Sequence, residues 1–385
     1  MNGSKDLRFL TLDSVTVYVE VILQNYPLFL LGSALLAFFI NHYLSKKVLL
    51  IALKKRLFAQ QSLRSSHRHP TPALGGIPIF VVVMTSMLLA IGVGFSSTIG
   101  FTLASCFILF LTGLKDDLVG ASARSKFLAQ LLAAILFVVN PDFALDHLSE
   151  FLGIGLMDSI WTYVIGMVFI VSLVNAFNLI DGIDGLAGMT AIVSFSVFGV
   201  YFYLNDHYEY TIFCATLIGA LASFLTFNFA LPGKKMFLGD TGALVVGFLL
   251  AAFALRILEL QPLEGFVGFY PKNAPLFILS VLIIPVLDTA RIIVIRLSNG
   301  QKPWYADRSH MHHVLLDVGY SHKEATFRLI TLQLVAILGY IVVEGAGQVA
   351  LHFYVLALYG SVIALFVGLR AKVGAKDGAH PAINA

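Results

Sequence analysis

Residues 161–188, "WTYVIGMVFIVSLVNAFNLIDGIDGLAG", decide how the chain is read. Up to Val174 the run is apolar enough to sit in lipid. Asn175, Asn178, Asp181 and Asp184 then follow at every third position, interleaved with Gly182, Gly185 and Gly188. Lipid offers no partner for an unpaired N–H or C=O, so the apolar part must be a helix. On a continuing helix, side chains three apart drift slowly around one face. The glycines instead permit a non-helical turn or a close backbone approach. A plain connection between helices needs only a couple of Asn, Asp or Gly residues. Four acid or amide side chains with three glycines point beyond that, to a wet pocket at the membrane boundary.

The rest of the 385-residue chain is of the same kind. Hydrophobic residues make up 58% and charged residues 12%, against roughly 25% charged in soluble domains. Runs long enough to cross a bilayer, about 17 to 25 residues, fall at 21–44, 74–94, 97–114, 126–140, 158–180, 186–204, 211–230, 242–260, 274–297, 326–344 and 350–370. The fold class is therefore all-α, a polytopic membrane protein of about eleven spans. Residues 1–370 read as one transmembrane catalytic domain, and 371–385, "AKVGAKDGAHPAINA", as a flexible cytoplasmic tail. Cys106 and Cys214 both lie inside spans, so no disulfide framework is implied. The start, "MNGSKDLRFLTLDS", lacks the basic head and small-residue cleavage site of a signal peptide, so the first span reads as retained. No internal repeat of the inverted kind that many transporters carry is visible.

Basic residues set the orientation. With eleven spans and the N-terminus outside, only Lys5, Arg8, Arg256 and Lys272 of the 25 Lys and Arg fall on the outer side. The positive-inside rule then makes the rich side cytoplasmic. That map gathers every unusual polar cluster on the cytoplasmic face: "SSHRHPTPALGG" (65–76), "LKDDLVGASARSK" (114–126), the opening motif, "KKMFLGDTGA" (234–243) and "DRSHMHH" (307–313). Five separated loops on one surface can build a single site at the mouth of a helix bundle.

Each cluster has a plain reading beside its chemical one. Asp116 and Asp117 could be a solvated helix end with Lys115 snorkelling, or a carboxylate pair of which one holds its proton more tightly and serves as a base. Asp240 and Thr241 could cap a helix N-terminus. Asp240 could equally hold Mg²⁺, a hard ion that prefers carboxylate, amide, water and phosphate oxygens, beside a helix N-terminus that attracts phosphate. His310, His312 and His313 suggest zinc by number, but no cysteine lies near a loop to complete a structural site. A cationic, hydrogen-bonding pocket for phosphate or sugar hydroxyls suits them better. Asp288 with Arg291, and Arg256 with Glu259, read as pairs that neutralise each other within a span. The residues together fit Mg²⁺-assisted transfer of a phosphate-bearing group between a cytosolic donor and a lipid acceptor.

"HRHPTPALGGI", "LKDDL", "NAFNLIDGIDGLAG", "FLGDTGA" and "DRSHMHH" stand in the order found in the polyprenyl-phosphate N-acetylhexosamine-1-phosphate transferases, and over about residues 30–345 the chain resembles that family. The His-x-His-His form of the last loop resembles the WecA-like branch, which uses UDP-N-acetylglucosamine. The resemblance implies transfer of a sugar 1-phosphate from a UDP-sugar to undecaprenyl phosphate in the bacterial inner membrane, releasing UMP and starting a lipid-linked surface glycan such as an O-antigen. It implies Mg²⁺ (or Mn²⁺) on Asp240 and Asn178, Asp116 and Asp117 beside the lipid phosphate, and Lys126 on the donor diphosphate. Asn175, Asp181, Asp184 and Asn228 would line the substrate pocket, with Asp184 on the uracil side. Arg308, His310, His312 and His313 would meet the donor's phosphate or sugar. The expected partners are the UDP-sugar, the polyprenyl phosphate and membrane lipid, with a homodimer compatible and nucleic acid not involved. Another UDP-hexosamine or UDP-MurNAc-pentapeptide is the alternative donor. A transporter or flippase is the alternative of a different class, and it would need essential charges near mid-span.

Overall fold

The computed structural model describes residues 26–58, 70–92, 97–141, 143, 145, 159–260, 270–271, 273–298, 300–302 and 310–378. Regular structure among them is entirely helical. The helices are α1 (Tyr26–Lys55), α2 (Gly76–Gly92), α3 (Ser97–Val119), α4 (Ala123–Val138), α5 (Ser159–Ile180), α6 (Leu186–Leu204), α7 (Tyr208–Asn228), α8 (Gly239–Glu259), α9 (Ala274–Val281), α10 (Ile283–Ser298), α11 (Met311–Val318), α12 (His322–Glu344) and α13 (Gln348–Gly378). Each expected span, in its described residues, coincides with a helix or a helix pair, while residues 21–25 and 93–94 of the first two lie outside the described residues. Among the described residues, eight helices are long and apolar enough to cross a membrane, or nine crossings if α9 and α10 count as one. The chain is a multi-pass membrane protein. The helices α2 and α4 are shorter, at 17 and 16 residues.

Two expectations need correction. The ninth expected span, 274–297, is not one rod, because α9 and α10 meet at 87°. Pro285 has no N–H to give to the carbonyl four residues back, and that carbonyl belongs to Val281. The buried Gln333 of α12 takes it up, its Nε2 donating to Val281 O at 2.8 Å. At the other end, α13 continues to Gly378, past the boundary at residue 370 where a flexible tail was expected.

The helix α8 is the axis of the bundle. Within its most apolar stretch 94% of residues are buried, against 17% for α1 and 22% for α13. It packs on α2, α3, α5, α6 and α9. Gly242, Ala243, Gly247, Ala251, Ala252 and Ala254 let neighbouring backbones come close on several sides. A Cβ on Gly113 of α3 would lie 2.5 Å from Thr241 Cα, so α3 and the start of α8 touch backbone to backbone. Further along, Phe248 and Phe253 meet Phe137, Phe195 and Phe202 edge to face. Arg256 and Glu259 pair at 2.8 Å near the other end of α8, as the sequence suggested.

Candidate active site

The site grows from the N-terminus of α8. Leu238 stands in the cap position and supplies no side-chain acceptor, so the first N–H groups of the helix need partners from elsewhere. Asp117, at the end of α3, provides them. Its Oδ1 accepts from Asp240 N at 2.9 Å, and its Oδ2 accepts from Thr241 N at 2.9 Å and Thr241 Oγ1 at 2.6 Å. Residues 70–76 and 236–239 dock alongside through backbone bonds: Phe237 N to Pro72 O at 2.8 Å, then Gly75 N to Phe237 O and Gly76 N to Leu238 O, both 2.9 Å. Gly239 sits at φ +74, and a Cβ there would stand 2.7 Å from Asp117 Oδ2. Because Asp117 caps the helix, the Asp240 carboxylate is left to face the bundle mouth.

Two more helices, α4 and α5, reach that carboxylate. Lys126, in the first turn of α4, donates from Nζ to Asp240 Oδ2 and, at 2.9 Å, to Asp116 Oδ2. Ser122 caps α4 by accepting from Ser125 N at 3.2 Å, and Asp116 Oδ1 accepts from Ala121 N at 2.5 Å, which fixes the turn before it. Asn178 of α5 donates from Nδ2 to Asp240 Oδ1 at 3.2 Å. One turn beyond Lys126, the buried Gln130 exchanges two hydrogen bonds with Asn175, at 2.6 and 3.3 Å. Thus α3, α4, α5 and α8 close a ring. The side chains of Asp116, Lys126 and Asp240 remain about a fifth to a quarter exposed.

The opening motif splits between helix and turn. Asn175 and Asn178 lie on α5, which ends at Ile180, while Asp181 and Asp184 lie in the turn before α6. Gly185 closes the turn at φ +81, and the Phe229 ring occupies the place of its missing side chain. Asp184 Oδ2 pairs with Lys235 Nζ at 2.5 Å and has His322 Nδ1 at 3.6 Å, and Thr326 Oγ1 donates to Asp184 O at 2.8 Å. Desolvation, helped by the charges of Asp240, Asp117 and Asp184, holds the Asp181 carboxyl well above the usual carboxylate range. Asn228, expected to line the substrate pocket, is buried, its Oδ1 accepting from Gly185 N at 2.6 Å and its Nδ2 donating to Met236 O at 3.1 Å. It clamps two loops together.

The histidines come in through α11. His312 is buried with its ring against Gly182, so the loop leans on the 181–185 turn. Neither ring nitrogen of His312 has a hydrogen-bond partner among the described residues. Burial, reinforced by His313, lowers this imidazole to about 3, so it is neutral at physiological pH. Its ring stacks on His310 at 5.8 Å and lies 4.2 Å from His313. Arg308 lies outside the described residues.

Oxygen donors dominate the mouth. Among the described residues, no three His, Cys, Asp or Glu side chains gather as a closed metal cage. Mg²⁺, however, binds through one or two carboxylates and completes its shell with water and phosphate oxygens. Asp116 and Asp240 already share one cationic group, the Lys126 ammonium, and are part-exposed, so this donor set fits such an ion. Asn178 turns its amide nitrogen toward Asp240 as placed, and a half-turn of that amide would bring its oxygen to the same spot.

A sequence model of glycosyl transferase family 4 matches residues 99–258, which run from α3 to α8. A Bacillus subtilis (strain 168) protein named "Probable undecaprenyl-phosphate N-acetylglucosaminyl 1-phosphate transferase" is 31% identical over 325 residues, 83% of this chain and 87% of its own. The chain belongs to glycosyl transferase family 4. Two further relatives are the decaprenyl-phosphate N-acetylglucosaminephosphotransferase of Mycolicibacterium smegmatis, 28% identical over 76% of each chain, and the undecaprenyl-phosphate alpha-N-acetylglucosaminyl 1-phosphate transferase of Yersinia pestis, 29% identical over 76% of this chain and 78% of its own. The stretch matched by the family 4 model holds Asp116, Asp117, Lys126, Asn175, Asn178, Asp181, Asp184, Asn228 and Asp240, whereas the histidines lie beyond it. Sequence reasoning on this family 4 chain missed Gln130, Lys235 and His322. Gln130 had a readable signal, four residues after Lys126 and so on the same helix face. Lys235, though within the 234–243 cluster, and His322 could not be paired with Asp184 from sequence, because Asp184 is remote from both.

Proposed function

We propose that the protein transfers N-acetylglucosamine 1-phosphate from UDP-N-acetylglucosamine to a polyprenyl phosphate, undecaprenyl phosphate in particular, on the cytoplasmic side of the inner membrane. The observation that carries this reading is the ring at the α8 N-terminus, where Asp116, Lys126, Asn178 and Asp240 meet at a bundle mouth with Asp181 and Asp184 beside them. The names of the relatives supply the class of donor and acceptor.

The chemistry joins two anions. An oxygen of the lipid phosphate forms a bond to the sugar-bearing phosphorus as that phosphorus loses its bond to the bridging oxygen, and UMP departs with that oxygen and its electron pair. A lipid phosphate is already a competent nucleophile, so direct attack needs no enzyme-bound intermediate. Mg²⁺ on Asp116 and Asp240 would neutralise charge on the donor diphosphate. Lys126 adds a positive charge between the same carboxylates and can turn to a phosphate oxygen. Asp117 acts through position, holding Asp240 and the N-terminus of α8 in place. Asp184 and Lys235, with Asp181, form the polar wall where a nucleotide base and ribose would lie. His310, His312 and His313, whose loop leans on the 181–185 turn, would meet the sugar and its phosphate beside that wall.

The test offers purified protein a panel of UDP-sugars with undecaprenyl phosphate, with and without Mg²⁺, and measures UMP release. Release that requires UDP-N-acetylglucosamine, the lipid and Mg²⁺ is expected. Release only with another UDP-hexosamine or with UDP-MurNAc-pentapeptide would replace the donor. No lipid-dependent release with any of them would overturn the reading.

A further inference from the structure

Asp288 and Arg291 sit one turn apart on α10, and mutual neutralisation would explain them if they had no other partners. The distances argue otherwise. Asp288 is 1% exposed and Arg291 fully buried, yet the bond between them, Arg291 Nη2 to Asp288 Oδ1, is 3.2 Å. The two shorter contacts of the carboxylate go to the histidine loop: Met311 N donates to Oδ1 at 2.9 Å, and Asp288 Oδ2 meets His310 Nδ1 at 2.9 Å. An ionic pair this deep is a weak source of stability because desolvation offsets the attraction. A carboxylate that also receives the first N–H of α11 and a ring N–H has a positional use for its charge.

We propose that Asp288 is a positioning residue for the transfer reaction, seating α11 and fixing His310 with its Nδ1–H toward Asp288. The inference rests on the transferase reading given above, and names a residue that acts on the site without touching substrate. The chain of contacts is continuous. Asp288 holds the His310 ring and the start of α11, His310 stacks on His312, and His312 leans on Gly182 in the turn that carries Asp181 and Asp184. With Nδ1 committed to Asp288, Nε2 is the only ring nitrogen of His310 left for a ligand. Arg291 balances Asp288 from behind, so the charge costs less to bury.

The decisive variant is Asp288→Asn. Asparagine keeps an oxygen for Arg291 and Met311 N, but presents an NH₂ group to His310 Nδ1 and so favours the other tautomer. In full-length protein in detergent, ¹⁵N NMR of the His310 ring, assigned by subtraction of His310→Gln, should show a protonated Nδ1 in wild type and an unprotonated Nδ1 in Asp288→Asn. The wrong tautomer in a comparable carboxylate–histidine pair costs orders of magnitude in rate, so kcat for UMP release should fall at least about tenfold with the donor KM changed less than about threefold. In a His310→Ala background, Asp288→Asn should lower kcat by less than about twofold more. An unprotonated Nδ1 in wild type, wild-type kcat in Asp288→Asn, or fully additive losses would each overturn the proposal. Wild-type protein that shows the NMR signature but releases no UMP would instead sink the transferase reading, so the two failures are distinguishable.

Discussion

Replacing Asp117 by Asn separates two tasks that neighbouring acids divide between them. The Asp117 carboxylate accepts three hydrogen bonds from the first turn of α8, at 2.9, 2.9 and 2.6 Å. An amide has a single oxygen. It can keep the Thr241 bonds or the Asp240 bond, and its NH₂ group then faces a donor. Losing a hydrogen bond to a charged group while stranding its partner costs about 1.5 to 3 kcal/mol. Removing the negative charge from a helix N-terminus adds about 0.3 to 1 kcal/mol. The combined loss of about 2 to 4 kcal/mol is a large share of a typical folding stability of about 5 to 15 kcal/mol. Asp116→Asn differs, because it keeps an acceptor for Ala121 N and gives up only a part-exposed contact to Lys126, worth about 1 kcal/mol or less. Both variants should lower transfer at least about a hundredfold, or about 2.7 kcal/mol of transition-state stabilisation. Only Asp117→Asn should also lower the denaturation midpoint clearly. Unfolding in detergent and UMP release, measured on the same preparations, provide the comparison. If Asp117→Asn unfolds at the wild-type midpoint, or Asp116→Asn is the destabilised one, the capping assignment is wrong.

Asp240→Asn, in protein that still folds, should lose at least about a hundredfold of the Mg²⁺-dependent transfer, and full activity there would refute the ion site. Gly239→Ala must adopt φ +74 and crowd Asp117 Oδ2, so beyond a conformational cost of about 1 to 2 kcal/mol it should damage both stability and transfer. Gly233→Ala, at φ +83 with open space around it, should show the conformational cost alone, and equal effects of the two variants on transfer would contradict the docking of 70–76 on 236–239. His312 has its imidazole lowered from 6.5 to about 3, so the unfolded chain takes up a proton below pH 6.5 that the folded chain refuses. Its contribution is whole above pH 6.5 and declines below it, by up to about 1.4 kcal/mol per pH unit. Denaturation midpoints between pH 7.5 and 5 should show that slope flattened in His312→Gln, and an unchanged slope would count against it.

The apolar runs and the order of polar loops were legible because both are local properties of the chain. Every span placed from hydropathy overlies a helix, and the break in the ninth could have been read from Pro285 within its run. The division of labour between Asp116 and Asp117 was not legible. They are adjacent in sequence, and what separates them is that Asp117 reaches a helix N-terminus more than a hundred residues away. Asp288 was legible only in part, for a related reason: its pair with Arg291 is present, as read. Its nearest basic residue in sequence is Arg291, but its shorter bonds go to residues 310 and 311. Asn228 showed only that it is polar at a helix end, and its burial between Gly185 and Met236 depends on how two loops meet. Helical propensity and hydropathy carry no information on such meetings.

The charges at the mouth also explain why a lipid-embedded chain keeps so many carboxylates. Asp117 is compensated by the N–H groups of α8, Asp116 and Asp240 by Lys126, and Asp184 by Lys235. Asp288 is compensated by Arg291, His310 and a backbone N–H. Asp181 stands apart: its carboxyl has no hydrogen bond or ion pair to a described residue, and burial and three neighbouring acids oppose its ionisation. A carboxyl kept protonated in this way can donate a hydrogen bond as well as accept one. An arriving positive charge would ease its ionisation, because part of its raised proton affinity, after desolvation, comes from repulsion that such a charge would screen.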